Sequence, residues 1–300
     1  MKILLIGLPT TYDYLVPTLE SEGHEVVYYD GMADFLYVAG GSQPVIDKLL
    51  NIIEVFQPTH VINACPKLVL PEGDYIYLGN TIESARFETD KSYARGFVES
   101  CGWELPTVLT ECLNTQINIE EPQTIYIKPK DATTNRTTFK IPTGGTLTDV
   151  LALSPYEVIV EASQSYDVEA WAYFTMTDGQ FSINRTIGAI GYGDDKLIGS
   201  TGDWRNCTLV ELTEEQDTKY RQVCTALLEV LATKGGSFEG NIGGCIAPDL
   251  SCYFFEVNCR PETYNTNTLP STATNWVNSL IDDPSISDGH LTAAHIQAKF

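Results

Sequence analysis

Near its C-terminal end the chain reads Tyr253-Phe254-Phe255-Glu256-Val257-Asn258-Cys259-Arg260-Pro261-Glu262-Thr263. An apolar run ends in a carboxylate; an amide follows two residues later, and a guanidinium two residues after that. Residues two apart on a strand share a face. Glu256 and Asn258 therefore aim two oxygen ligands at one spot, and Arg260 joins them if the strand extends that far. Oxygen ligands beside a cation suit a Mg²⁺-bound phosphate undergoing transfer. The same residues also read as an ordinary strand ending in a polar turn, so the rest of the chain has to decide.

Upstream, the pattern predicts strands over 237–246 and 252–257, meeting at Pro248-Asp249. The longest helix is predicted over 214–233, with Val223, Leu227, Leu228 and Leu231 on one face. An antiparallel pair is predicted over 167–175 and 180–191, turning at Thr177-Asp178-Gly179. Shorter β-rich runs lie at 124–128, 138–141 and 156–161. A helix is predicted from Asp90, or Thr89, as N-cap to about Cys101, stopped by Gly102 and Pro106.

The N-terminal third has a different rhythm. Buried strands are expected at 2–6, 25–29 and 60–64, with helices at 14–19 and 45–56 between them. Strand, helix, strand, helix, strand predicts a small doubly wound α/β domain with right-handed crossovers. Its first turn, Gly7-Leu8-Pro9-Thr10-Thr11, lacks GxGxxG, which disfavours a nicotinamide dinucleotide. The expected division is 1–88, an N-terminal α/β domain; 89–164, a linking helix and small lobe; and 165–300, a large lobe.

Composition narrows the function classes. The chain has 300 residues, 43% hydrophobic and 10% aromatic, enough for roughly two domains with real cores. A net charge of −22 argues against nucleic acid and anionic membrane as partners. The apolar N-terminus is too short for a signal peptide, and acidic residues follow at once, so a cytoplasmic protein is expected. Eight scattered cysteines form no CxxC pair, and four histidines give no zinc spacing, so reduced thiols are expected.

Four segments now stand in order: Asp90-Lys91-Ser92 opening a helix; Ile125-Tyr126-Ile127-Lys128-Pro129 closing a strand on a lysine; Glu161 and Glu169 across a short loop; and Glu256-x-Asn258. This order resembles the ATP-grasp superfamily and, more narrowly, phosphoribosylamine–glycine ligases in a form shortened at the C-terminus. The resemblance runs from about Gly79 to Thr263. It implies an ATP-grasp fold, α/β and α+β, preceded by the doubly wound domain. It implies ATP and Mg²⁺ as cofactors, with small-molecule carboxylate and amine substrates; a homodimer is compatible with it. Lys91 and Lys128 would neutralise phosphates, and Glu161 would lie where the family's hinge binds adenine. Glu169 would hold the ribose or the nucleotide's edge, and Glu256 and Asn258 would bind the metal. Arg260 would stabilise the transferring phosphoryl group, with Arg185 meeting a substrate carboxylate. Gly199-Ser200-Thr201-Gly202-Asp203 resembles the family's acceptor-site loop.

The chain also departs from that family. Its flap segment, 130–140, contains no glycine, so Lys140 or Arg136 would replace backbone contacts to phosphate with charge. The carboxylate that many relatives carry on the penultimate strand falls near Asn241, with Glu239 two residues earlier. Arg260 runs straight into Pro261, without the Phe-Gly-Asp of glycine ligases. The expected activity is an ATP-dependent carboxylate–amine ligase acting through an acylphosphate, with glycine and phosphoribosylamine as the lead pair. A small peptide or amino-acid ligase, or a nucleotide-binding protein without ligase chemistry, are the alternatives.

Overall fold

A computed structural model describes residues 1–7, 15–21, 23–30, 43–63, 65, 68–119, 123–130, 138–177, 179–190 and 208–259. The N-terminal sheet is parallel. It comprises β1 (Lys2–Gly7), β2 (Glu25–Asp30), β3 (His60–Asn63) and β4 (Ile76–Leu78), in the order β2-β1-β3-β4. Helices α1 (Leu15–Ser21) and α2 (Gln43–Phe56) link its first three strands. Strand alternation sends Leu4 and Ile6 into a core with Val45 and Leu49 of α2, while Ile3 and Leu5 enter the core shared with the C-terminal half. Both faces are covered, as a parallel sheet requires. β4 is an addition to the sequence pattern, which has only three residues with which to announce it.

Two short helices follow, α3 (Ile82–Thr89) and α4 (Lys91–Val98); the helix predicted from Asp90 is α4, and α3 is an addition to the pattern. Asp90 serves both: its N–H caps α3 on Arg86 O, and its carboxylate accepts the Tyr93 N–H at 3.0 Å to cap α4. A 3₁₀ turn over Glu99–Cys101 completes α4, and Gly102 ends it at φ 84°, a left-handed position suited to glycine.

The small lobe is an antiparallel sheet in the order β5-β8-β6-β7, from β5 (Val108–Leu113), β6 (Ile125–Pro129), β7 (Phe139–Ile141) and β8 (Glu157–Ala162). A single-turn helix, α5 (Thr148–Leu151), closes its apolar side. There Ile125, Ile127, Phe139, Ile141, Val158 and Val160 form a separate core. Tyr126, Lys128, Lys140, Ile159 and Glu161 occupy the other face by alternation.

The large lobe is a five-stranded antiparallel sheet, β11-β10-β9-β12-β13. Its strands are β9 (Val168–Thr177), β10 (Gln180–Ile190), β11 (Thr208–Val210), β12 (Phe238–Ile246) and β13 (Cys252–Asn258). One face packs on α6 (Glu214–Ala232). A capping box between Thr213 and Gln216 starts this helix, and Glu214, Glu215 and Asp217 in its first turn complement the helix dipole. Val223, Leu227, Leu228 and Leu231 enter the core as their spacing predicts. None of the described helices is long and apolar enough to cross a membrane.

Tyr220 ties α6 to the sheet. It is fully buried, with its hydroxyl 2.6 Å from Ala170 O and 3.0 Å from Ile242 O, on β9 and β12 respectively. Tyr220→Phe keeps the ring but removes the buried hydroxyl proton that the two carbonyls share. We expect a loss of about 1–3 kcal/mol, measured by urea unfolding with an unchanged m-value.

Candidate active site

The open face of the large sheet is read off its register. Arg185, Tyr173, Asn241 and Asn258 form one cross-strand row. Ile187, Trp171, Gly243 and Glu256 form the next, and Ala189, Glu169, Cys245 and Tyr253 the one after. Glu169, Arg185, Glu256 and Asn258, widely separated in sequence, thus share one surface.

β13 reaches this arrangement through a bulge. Gly243 pairs with Glu256 but Gly244 pairs with Phe254, so Phe255 is the extra residue. Cys252 and Phe254 face the core before the bulge, and Val257 and Cys259 face it after. Phe255 turns toward the small lobe, its ring centroid 5.1 Å from Lys128 Nζ. On the core side, Trp103 packs over Gly244, where a Cβ would fall 2.7 Å from its ring.

Glu256 and Asn258 point the same way, as two-residue spacing predicts. Asn258 Nδ2 lies 3.5 Å from Glu256 Oε1 and donates at 3.1 Å to Asn241 Oδ1. With its NH₂ facing two acceptors, Asn258 has its carbonyl oxygen left to offer. A carboxylate and an amide carbonyl are hard oxygen donors, and Mg²⁺ takes only one or two protein carboxylates when phosphates and waters complete its shell. The residues present fit that ion in that setting. Among the described residues, no group of three His, Cys, Asp or Glu side chains forms a metal cage. Glu239, buried on the same face as Asn241, is one pair further along β12, opposite Thr175.

The small lobe presents cations to this face. Lys128 Nζ lies 2.7 Å from Glu161 Oε2, and Arg95 Nη1 of α4 contacts Glu161 Oε1. The Glu161 side chain is 2% exposed. Burial alone would raise its carboxyl, but Lys128 and Arg95 together outweigh burial and hold it below the ordinary carboxylate range. Arg95 Nη2 also donates to Pro106 O at 3.2 Å. Lys140 stands directly opposite Tyr126, its Nζ 6.0 Å from the ring centroid. Lys91 opens α4, its backbone N–H 3.4 Å from Lys130 O, which sets the helix start beside the end of β6.

Glu169 is 3% exposed and accepts the Tyr166 hydroxyl at 2.6 Å. Burial, and the Glu169 carboxylate beside it, push the Tyr166 hydroxyl far up, so it remains a proton donor. Arg260, Arg136, the Gly199–Asp203 loop and flap residues 131–137 lie outside the described residues.

The sequence reading missed Arg95 and Tyr166. Arg95 stands four residues after Lys91, on the same side of one helix, and that spacing was its only signal. Tyr166, in a loop, carried none.

No protein-family model matches the sequence, and no curated protein matches it either. Solved structures do match the fold. The D-alanine–D-alanine ligase of Bacillus anthracis superposes with a TM-score of 0.60 at 15% identity, covering 93% of this chain and 95% of that one. The phosphoribosylamine–glycine ligase of Thermotoga maritima gives 0.60 at 16%, covering 94% and 74%. An L-amino acid ligase from Bacillus licheniformis gives 0.57 at 12%, covering 86% and 66%. The architecture is that of the ATP-grasp ligases, as expected. Phosphoribosylamine–glycine ligase is one of several structures similar to this degree, so the narrower resemblance to it is not singled out.

The buried trio yields a pH-dependent outcome. Glu161 is ionised in the folded protein at pH values where the unfolded chain would take up a proton. Its stabilisation is complete above the unfolded pKa, near the reference value of 4.5, and is lost as pH falls through the lower folded value. Glu161→Gln strands two cations, so it should cost about 3–5 kcal/mol at pH 7. Urea unfolding from pH 7 to 3 should show that gap narrowing below pH 4.5.

Proposed function

We propose that the chain is an ATP-dependent carboxylate–amine ligase. One observation carries the reading. Lys128 and Lys140 share one face of the small-lobe sheet, Lys91 opens α4 beside the end of β6, and Lys128 Nζ stands 5.1 Å from the ring of Phe255, the neighbour in sequence of Glu256 in the Glu256–Asn258 oxygen pair. Cations on one wall and hard oxygen donors on the other suit a polyphosphate held between them. The likeness in fold to ATP-grasp ligases supports the same assignment.

In this reading Lys91, Lys128 and Lys140 bind phosphate oxygens as point charges, and Glu161 and Arg95 keep Lys128 from swinging away. Glu169, oriented by the Tyr166 hydroxyl, would lie against the ribose of the nucleotide. Glu256 and Asn258 would hold Mg²⁺, which would supply positive charge to neutralise the phosphates. Arg185, exposed beside Tyr173, receives a substrate carboxylate, and Arg260 follows the metal pair in sequence. The overall change transfers the γ-phosphoryl group to a carboxylate as an acylphosphate; an amine then attacks the carbonyl carbon and releases phosphate. The protein contributes mainly position and charge.

Two acceptor pairs are in view. Glycine with phosphoribosylamine follows from the resemblance in the motifs. Two amino acids follow from the match over nearly the whole length of both chains with a D-alanine–D-alanine ligase. A specific observation favours a second class of function: an amide, Asn241, stands opposite Asn258 where a second carboxylate would strengthen the metal site. That substitution suits a protein that binds nucleotide without turning it over.

Phosphate release from Mg·ATP, assayed against panels of amino acids and small amines, separates these readings. An acceptor-dependent rate that falls at least about a hundredfold in Glu256→Ala, with the melting temperature kept, is the expected result. Nucleotide binding with no turnover under any acceptor supports the binding protein, and no binding at all ends both.

A further inference from the structure

The end of β13 has a hydrogen-bonding problem that the sheet does not solve. Asn241–Asn258 is the last pair between β12 and β13. Cys259, one residue further, is 0% exposed, and a buried backbone N–H and C=O need partners. Both partners come from the segment before the small lobe. Cys259 N–H donates to Glu88 Oε2 at 2.7 Å, and Asn80 Nδ2 donates to Cys259 O.

Asn80 is itself held. It is 1% exposed, Ser84 Oγ donates to its Oδ1 at 3.2 Å, and its backbone forms a bridge with Gly236. Glu88 lies on α3, whose start is fixed by the Thr81–Ser84 capping box, with Thr81 Oγ1 donating to Lys234 O at 2.7 Å. On the other side, Gly240 clears the way for Asn258. A Cβ at that position would fall 2.3 Å from Asn258 O and 2.5 Å from Phe174 Cζ. The backbone that carries Asn258 is therefore located from both directions.

The clamp is also linked to the opposite wall. From Glu88, α3 leads through the shared cap at Asp90 into α4, which carries Lys91 beside Lys130 and Arg95 on Glu161. One short helical unit thus touches the end of β13 and the cationic face of the small lobe.

We propose that Glu88 and Asn80 are positioning residues: by clamping the Cys259 backbone they fix the Glu256–Asn258 oxygen pair at its distance from the small-lobe cations. The assignment rests on the metal-binding reading of that pair. A carboxylate on one backbone N–H is a charge-assisted hydrogen bond. Partners one step behind metal ligands typically change metal affinity by about 10–100-fold when removed.

The test measures Mn²⁺ binding by electron paramagnetic resonance in the presence of β,γ-methylene-ATP, with amide exchange of residues 254–259 followed in the free protein. In Glu88→Ala the amides of Asn258 and Cys259 should exchange faster, and half-saturation by Mn²⁺ should rise at least about tenfold. Glu88→Gln, whose amide oxygen accepts the same N–H, should recover most of that affinity. Asn80→Ala should weaken Mn²⁺ binding in the same sense. Should Glu88→Ala not fold, Glu88→Asp, one methylene short of Cys259, carries the same expectation. Faster exchange with wild-type Mn²⁺ affinity would overturn the proposal and leave Glu88 a strand-end cap. A wild type that binds no Mn²⁺ with the analogue, or a Glu256→Ala variant that binds it normally, removes the metal reading itself.

Discussion

The structure turns on a parity constraint in β13. A regular strand puts residues 254 and 257 on opposite faces, yet both Phe254 and Val257 belong to the core under the large sheet. The extra residue at Phe255 reconciles them. It lets the strand bury Cys252 and Phe254, change phase, and bury Val257 and Cys259, while Glu256 and Asn258 emerge on the other side. Without that step, the apolar half of the strand and its polar end would compete for the same face. Trp103 over Gly244 fills the core side of the irregularity, and Phe255 meets Lys128 on the cleft side.

Facing this strand, the small lobe has to hold cations in a largely buried place, where an isolated charge is expensive. It does so with one buried anion shared by two cations, Glu161 between Lys128 and Arg95. The trio carries net positive charge, and its geometry is set by three separate elements. Arg95 arrives on α4, whose N-terminus is fixed by Asp90 and abuts the end of β6. The cationic wall and the oxygen-donor wall are therefore referenced to the same pair of short helices, with Glu88 at one end and Arg95 at the other.

Much of this was legible along the chain. The βαβαβ rhythm, the long amphipathic helix, the hairpin at Gly179 and the two final strands came from local periodicity and turn chemistry, which act over a few residues. The shared face of Glu256 and Asn258 followed from strand period alone. Elements with little local signal escaped: the three-residue strands β4 and β11, and the short helix α3. A single aspartate capping two helices is visible only once both are in place.

The sequence by itself determined which residues alternate, where the long helices begin, and an order of lysines, carboxylates and an amide that resembles an ATP-grasp ligase. The tertiary structure decided which of them meet. Arg185, Tyr173, Asn241 and Asn258 form a row only through strand register. Arg95 finds Glu161 from 66 residues away, and Glu88 finds Cys259 from 171. Such contacts carry no local period. They arise because burial leaves charges and backbone groups that must find partners wherever the fold brings one within reach.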